Sequence, residues 1–125
     1  FNLNIQMPGD AMSLLPVHAD TWTGDSPYQL VLWVPLVDCY RTKSMYFGPE
    51  RKFLEVKYGE VLIFNSSIPH GNMVNEEAGT RWTINCRFKS VWSPYAVKGP
   101  GEHFEPVTLR AASRIGMEYK HPVLA

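Results

Sequence analysis

The sequence predicts an all-β fold, a sandwich or barrel of about eight short strands followed by one late helix. Three observations carry that expectation. Apolar and polar residues alternate with a period of two in several stretches, turn signals built on Gly and Pro cut the chain at short intervals, and one segment near the end has helical spacing.

Taken in order, residues 1–7 alternate strictly, with Asn2, Asn4 and Gln6 on one face and Leu3, Ile5 and Met7 on the other. This is a half-buried strand whose polar face meets either solvent or a cavity. Pro8-Gly9-Asp10 is a turn, and residues 16–22 read as a strand end. Residues 28–37 are nearly continuously apolar or β-prone, as in a strand covered on both faces. Short strands are expected over 44–47, 52–56 and 61–64, with a further one beginning at His70 and running to Asn75. Residues 76–79 form a hairpin turn into the longest strand, 80–92, where Arg81, Thr83, Asn85 and Arg87 share one face and Trp82, Ile84, Cys86 and Phe88 the other. The stretch 93–106 is rich in Pro and Gly and irregular, and 108–119 has a modest apolar stripe of Leu109, Ala112 and Ile115 suited to a helix.

A chain of 125 residues fits one domain, 1–125, with its core strands over about 1–92 and a C-terminal loop and helix over 93–125. The formal net charge is zero and no block of one sign is visible, so neither a nucleic acid nor an anionic membrane is an expected partner. No apolar run approaches the roughly 20 residues that span a bilayer, and no secretory signal is present. The expected location is the cytoplasm, where Cys39 and Cys86, in no C-x-x-C spacing, would be buried thiols. The chain opens on Phe1 and not on Met, and it reads as a fragment or processed product lacking N-terminal elements.

Chemistry concentrates on Pro16-Val17-His18-Ala19-Asp20-Thr21-Trp22. Residues two apart on a strand point the same way, so His18 and Asp20 can reach one point in space. His70, in Pro69-His70-Gly71-Asn72 after the Val61-Leu62-Ile63-Phe64 strand, supplies a second imidazole. Two histidines and one carboxylate make the facial ligand set that holds Fe(II) and leaves positions open. Arg81 stands eleven residues beyond His70, across the hairpin turn, where its guanidinium can bind a carboxylate with two parallel hydrogen bonds. Arg87 competes for that role from the same face, about 20 Å further along the strand.

The His18-Ala19-Asp20 motif, a distal His70 behind the Gly59-Glu60-Val61-Leu62-Ile63-Phe64 segment, and Arg81 resemble the Fe(II)/2-oxoglutarate-dependent oxygenases, in particular their phytanoyl-CoA dioxygenase-like branch. The wording of residues 18–27 and of Arg81-Trp82-Thr83-Ile84-Asn85-Cys86-Arg87-Phe88 is similar to the StrG-like oxygenases of sporadic carbohydrate clusters. The resemblance covers residues 1–92. It implies a double-stranded β-helix, a jelly roll of cupin-like kind. It implies a site where His18, Asp20 and His70 hold Fe(II), Arg81 binds the distal carboxylate of 2-oxoglutarate, and O2 is the oxidant. Thr83, on Arg81's face, can add a hydroxyl to that carboxylate. The implied activity is hydroxylation of an unactivated C–H bond in a small molecule, such as a sugar or aminocyclitol intermediate. The helices that normally back the larger sheet are missing, so the Trp82-Ile84-Cys86-Phe88 face needs cover from the late helix, from further sequence, or from a second copy in a homo-oligomer.

Further polar candidates are Asn4 and Gln6, which face the cavity if Leu3 and Ile5 face outward, and Asn72, which shares the parity of His70. Trp22, Trp33 and Tyr46 are expected in the core, and His103 and His121 on the surface. Ser66, Ser67 and Cys39 have no base at motif distance, so nucleophilic catalysis has no support. Two other readings use the same residues: a cupin-like metal enzyme that needs no 2-oxoglutarate, and a non-catalytic binding domain on the same fold.

Overall fold

A computed structural model describes residues 1–93, 98, 103–107 and 111. Its strands are β1 (Asn2–Gln6), β2 (Leu30–Pro35), β3 (Met45–Phe47), β4 (Lys52–Phe53), β5 (Leu62–Asn65), β6 (His70–Asn72) and β7 (Arg81–Phe88). They form a four-stranded sheet in the order β1-β7-β2-β5 and a three-stranded sheet in the order β4-β3-β6. Every pairing is antiparallel. The result is an all-β fold, as the alternating pattern anticipates, and a jelly roll of cupin-like kind, as the resemblance implies. The helix expected over 108–119 falls outside the described residues, apart from Ala111.

The sheets meet across a core of Val31, Trp33, Cys39, Met45, Val56 and Phe64, with Phe47, Leu62 and Ile68 packed against it. Phe47 of the small sheet and Phe64 of the large one stack edge to face at 5.1 Å. Trp33 and Tyr46 are buried, as expected, but Trp22 is not: it is 65% exposed. It sits in a 3-10 helix outside the two sheets, where no apolar layer reaches it.

In register, Gln6 faces Arg81, Asn4 faces Thr83 and Asn2 faces Asn85 across β1 and β7. Gln6, Arg81 and Thr83 are buried, while Leu3, Ile5 and Trp82 are exposed. The polar side of β1 and β7 thus points into the molecule, which resolves the two options left by the alternation in residues 1–7. On the outer side Ile84 lies between Leu3 and Val34, and Cys86 beside Leu32, making one continuous apolar face.

Two expectations need correction. Residues 16–22 are not a strand: only His18 bridges to a partner, and residues 20–23 turn into a 3-10 helix. Gly24 ends that helix in the left-handed region at φ 93°, and Thr23 Oγ1 donates to the Asp20 carbonyl, local bonds that compete with an extended backbone. Seven strands therefore remain among the described residues. Second, residues 76–79 do not join a hairpin, because β6 and β7 belong to different sheets. Asn75 explains the turn: it donates from its side-chain amide to the Gln6 and Gly79 carbonyls and accepts from the Glu77 N–H, which carries the chain from one sheet to the other.

Candidate active site

His18 and His70 are joined by a reciprocal pair of backbone bonds, His18 N–H to His70 O at 2.9 Å and His70 N–H to His18 O at 2.8 Å. That pairing sets their rings 4.5 Å apart. Each ring makes the same local bond: Nδ1 lies 2.8 Å from the Pro16 carbonyl in His18 and 2.9 Å from the Ile68 carbonyl in His70. A carbonyl can only accept, so Nδ1 carries a proton in both rings and Nε2 is the nitrogen that each ring can offer to a ligand. Both Nε2 atoms face Asp20 Oδ1, at 3.6 Å and 3.9 Å. Neighbouring ligand atoms around one ion with bonds of about 2.1 Å stand about 3 Å apart, so both pairs need to close by less than about 1 Å to share an ion. His18, Asp20 and His70 form the candidate metal cluster among the described residues.

The backbone around the cluster leaves it little freedom. Gly71 follows His70 in β6, and a Cβ there would stand 2.6 Å from the Tyr46 hydroxyl and 2.9 Å from the Leu15 carbonyl. The missing side chain lets the strand pass beneath residues 13–15. Asn72 holds that loop from below, accepting from the Leu15 N–H at 2.5 Å and donating to the Ser13 carbonyl at 3.0 Å. The 3-10 helix bearing Asp20 is tied to the segment after β5, since Ser66 O accepts from the Thr21 N–H and Ser66 Oγ donates to Ser26 O.

The electrostatics suit a cation. Burial pushes the Asp20 carboxyl up, but the Arg87 hydrogen bond, the Arg87 charge and the two imidazoles outweigh it, and the pKa ends below the ordinary 3.8. Burial pushes the His70 imidazole down, so it is neutral at physiological pH, the form that ligates.

The cavity beside the triad is lined by Asn4, Leu15, Trp33, Met45, Phe64, Asn72, Arg81, Thr83, Asn85 and Arg87, together with the histidines. The two arginines separate cleanly here. Arg87 Nε donates to Asp20 Oδ2 at 2.7 Å, so Arg87 is already engaged. Arg81 is 5% exposed, its Nε has no hydrogen-bond partner, and no carboxylate pairs with it among the described residues. Burial also lowers its pKa, the mark of a cation held without compensation. Thr83 Oγ1, one step along the same face, is buried and unpartnered too, as are Gln6 Oε1 and Asn85 Oδ1.

Of the remaining sequence candidates, Asn4 lines the cavity, while Gln6 is fully buried behind it and donates Nε2 to the Met73 carbonyl. Both polar ends of the Asn72 amide are spent on the 13–15 loop. His103 is exposed, and His121 lies outside the described residues. Cys39 is buried and free with its thiol pushed up to about 11, whereas Cys86 is free but only partly buried. Sequence reasoning missed Asn85 as a lining residue, although its place between Thr83 and Arg87 on one face of β7 was a usable signal. The wall from Leu15, Met45 and Phe64 had none, since those residues come from three separate elements.

No family model matches the sequence, and no curated protein matches it. Solved structures do match in fold. AviO1 from Streptomyces viridochromogenes Tue57 superposes with a TM-score of 0.59 at 18% identity, covering 75% of this chain and 51% of its own. ThoJ, a non-haem monooxygenase in complex with nickel, gives 0.62 at 17% identity over 94% of this chain and 59% of its own. EvdMO1 gives 0.54 at 18% identity over 68% of this chain and 25% of its own. The chain thus shares their fold while spanning between a quarter and three-fifths of their length. No helix among the described residues is long and apolar enough to cross a membrane.

Proposed function

We propose that this chain is the metal-holding core of a non-haem Fe(II)- and 2-oxoglutarate-dependent oxygenase. The observation that carries the reading is the conjunction of a convergent His18-Asp20-His70 triad with the cavity beside it, which both histidines line together with Arg81, buried and unpaired among the described residues. The triad offers two neutral imidazole nitrogens and one carboxylate oxygen, the donor set suited to Fe(II) with positions left over for other ligands. A buried guanidinium with no counter-ion asks for an anion, and a carboxylate satisfies it with two parallel bonds. The fold neighbour ThoJ, a complex with nickel, lends support to a metal on this fold.

Fe(II), when bound, would supply the oxidising chemistry: O2 and 2-oxoglutarate would give succinate and CO2, with one oxygen atom of O2 in the succinate carboxylate and the other inserted into a substrate C–H bond as a hydroxyl. The chain's own residues hold and orient. His18 and His70 present Nε2, Asp20 presents Oδ1, and Arg81 with Thr83 Oγ1 fixes the distal carboxylate of the cosubstrate. Phe64, Met45 and Trp33, all buried, supply the apolar part of the cavity wall. The substrate is a small molecule bearing polar groups, of the sugar or aminocyclitol kind, which the amides of Asn4 and Asn85 suit. Two free cysteines fit a reducing cytoplasm.

Anaerobic addition of Fe(II) and then 2-oxoglutarate is expected to raise a weak visible charge-transfer band. His70→Ala should remove the band and abolish succinate formation without unfolding the protein. A bound metal with no band from 2-oxoglutarate would overturn the cosubstrate assignment and leave a cupin-like metal enzyme. Absence of any bound metal would leave a binding domain.

A further inference from the structure

Asp20 carries two carboxylate oxygens with different surroundings. Oδ1 faces both Nε2 atoms of the histidines, whereas Oδ2 accepts from Arg87 Nε at 2.7 Å. Among the described residues this is the side-chain hydrogen bond that Asp20's carboxylate makes; the other bonds of its turn run to backbone atoms, such as Asp25 N–H and Thr23 Oγ1 to the Asp20 carbonyl. Arg87 lies near the end of β7 with its Cα opposite Val31 of β2, and its side chain is held at the far end by the bond to Asp20. Asp20 itself is buried, so water offers its second oxygen no competing donor of equal strength.

We infer that Arg87 is a positioning residue that reserves Asp20 Oδ2 and so compels the carboxylate to bind metal through Oδ1 alone. This rests on the metal reading above. A carboxylate gripping an ion through both oxygens occupies two coordination positions; through one oxygen it occupies one. With His18 and His70, single-oxygen binding leaves three positions of an octahedron, enough for a two-point chelator and one further small ligand. Two-oxygen binding leaves one too few. The role differs from that of Arg81, which lines the cavity and has no partner for its Nε among the described residues. It also accounts for two arginines on one strand face being unequal.

Mn(II) or Co(II) can be bound to the intact chain in place of iron. The water molecules on Mn(II) are counted by oxygen-17 relaxation, and metal affinity is measured by competition with a chelator. Wild type is expected to carry three exchangeable waters. Arg87→Met should carry fewer and bind metal about 10–100-fold less tightly, the usual consequence of losing a residue that orients a ligand. Arg87→Lys, which keeps one donor, should restore much of the water count. Should Arg87→Met destabilise the fold, Arg87→Gln, which keeps a neutral donor, is expected to stay folded and show an intermediate count. An unchanged water count in either neutral variant, with metal still bound, would overturn the inference alone. A wild-type protein that binds neither ion would overturn it together with the metal reading.

Discussion

The two faces of the β1-β7-β2-β5 sheet invert the usual arrangement along β1 and β7. The inward face of those strands carries Asn4, Gln6, Arg81, Thr83, Asn85 and Arg87, while the outward face carries Leu3, Ile5, Trp82, Ile84 and Phe88. Buried polar groups without partners are costly, by roughly 1–3 kcal/mol each, and Arg81 Nε, Thr83 Oγ1, Gln6 Oε1 and Asn85 Oδ1 are all in that state. A ligand that satisfies several of them at once offsets that cost, so the inner face gives up stability for binding. The outer face gives up nothing polar; it exposes apolar surface that suits another layer of protein.

The largest test of this contrast is Arg81→Met. On the inner-face reading it lowers affinity for 2-oxoglutarate by about 10–100-fold, the value of a charged hydrogen-bonded pair. It also raises the melting temperature of the ligand-free protein, because an uncompensated buried charge is removed. Calorimetric titration and a thermal melt of the same variant read both effects, and a melt that falls would contradict the view of Arg81 as a strained cation.

Acid should expose a smaller effect at the triad opposite that face. In the metal-free protein the unfolded chain takes up the His70 proton before the folded one does, so stability present above about pH 6.5 declines as pH falls below it. Asp20 acts in the same direction further down: its contribution is present above pH 3.8 and is lost as pH falls through the lower folded value. Denaturant melts across pH should show both stages, and His70→Gln should remove the upper one.

The outer face should respond least. Ile63 is 61% exposed on β5, and Ile63→Thr is expected to change the stability of this chain by less than about 0.5 kcal/mol. A cost several times larger in urea melts would show that the face is covered in solution.

Much of the inner face was legible in advance because a period of two survives any tertiary arrangement. The alternation of residues 81–88 and of 2–6 placed every polar side chain on one side, and only the direction of that side awaited the second sheet. The triad was legible as residue types, yet its reason was not: Asp20 reaches the histidines from a 3-10 helix, not from a shared strand. Nor could spacing separate the arginines. Arg87 was set aside by its contact with Asp20, 67 residues away in sequence, and Arg81 was singled out by a buried Nε with no hydrogen-bond partner among the described residues, which no local pattern encodes. The hairpin expected between His70 and Arg81 failed for a similar reason, since the sheet a strand joins depends on partners far along the chain. Trp22 was misjudged because size and aromaticity speak for burial only where a layer exists to receive them.

The paired backbone bonds between His18 and His70 have a kinetic consequence. The two imidazoles are held by main-chain hydrogen bonds, so their spacing belongs to the fold and does not wait for an ion to impose it. An ion can then be stripped by a chelator and returned with the chain folded throughout, unlike small zinc domains that collapse and unravel with their metal. The amides of His18 and His70 should accordingly exchange slowly with deuterated solvent in the stripped protein, and loading should proceed as a single association step.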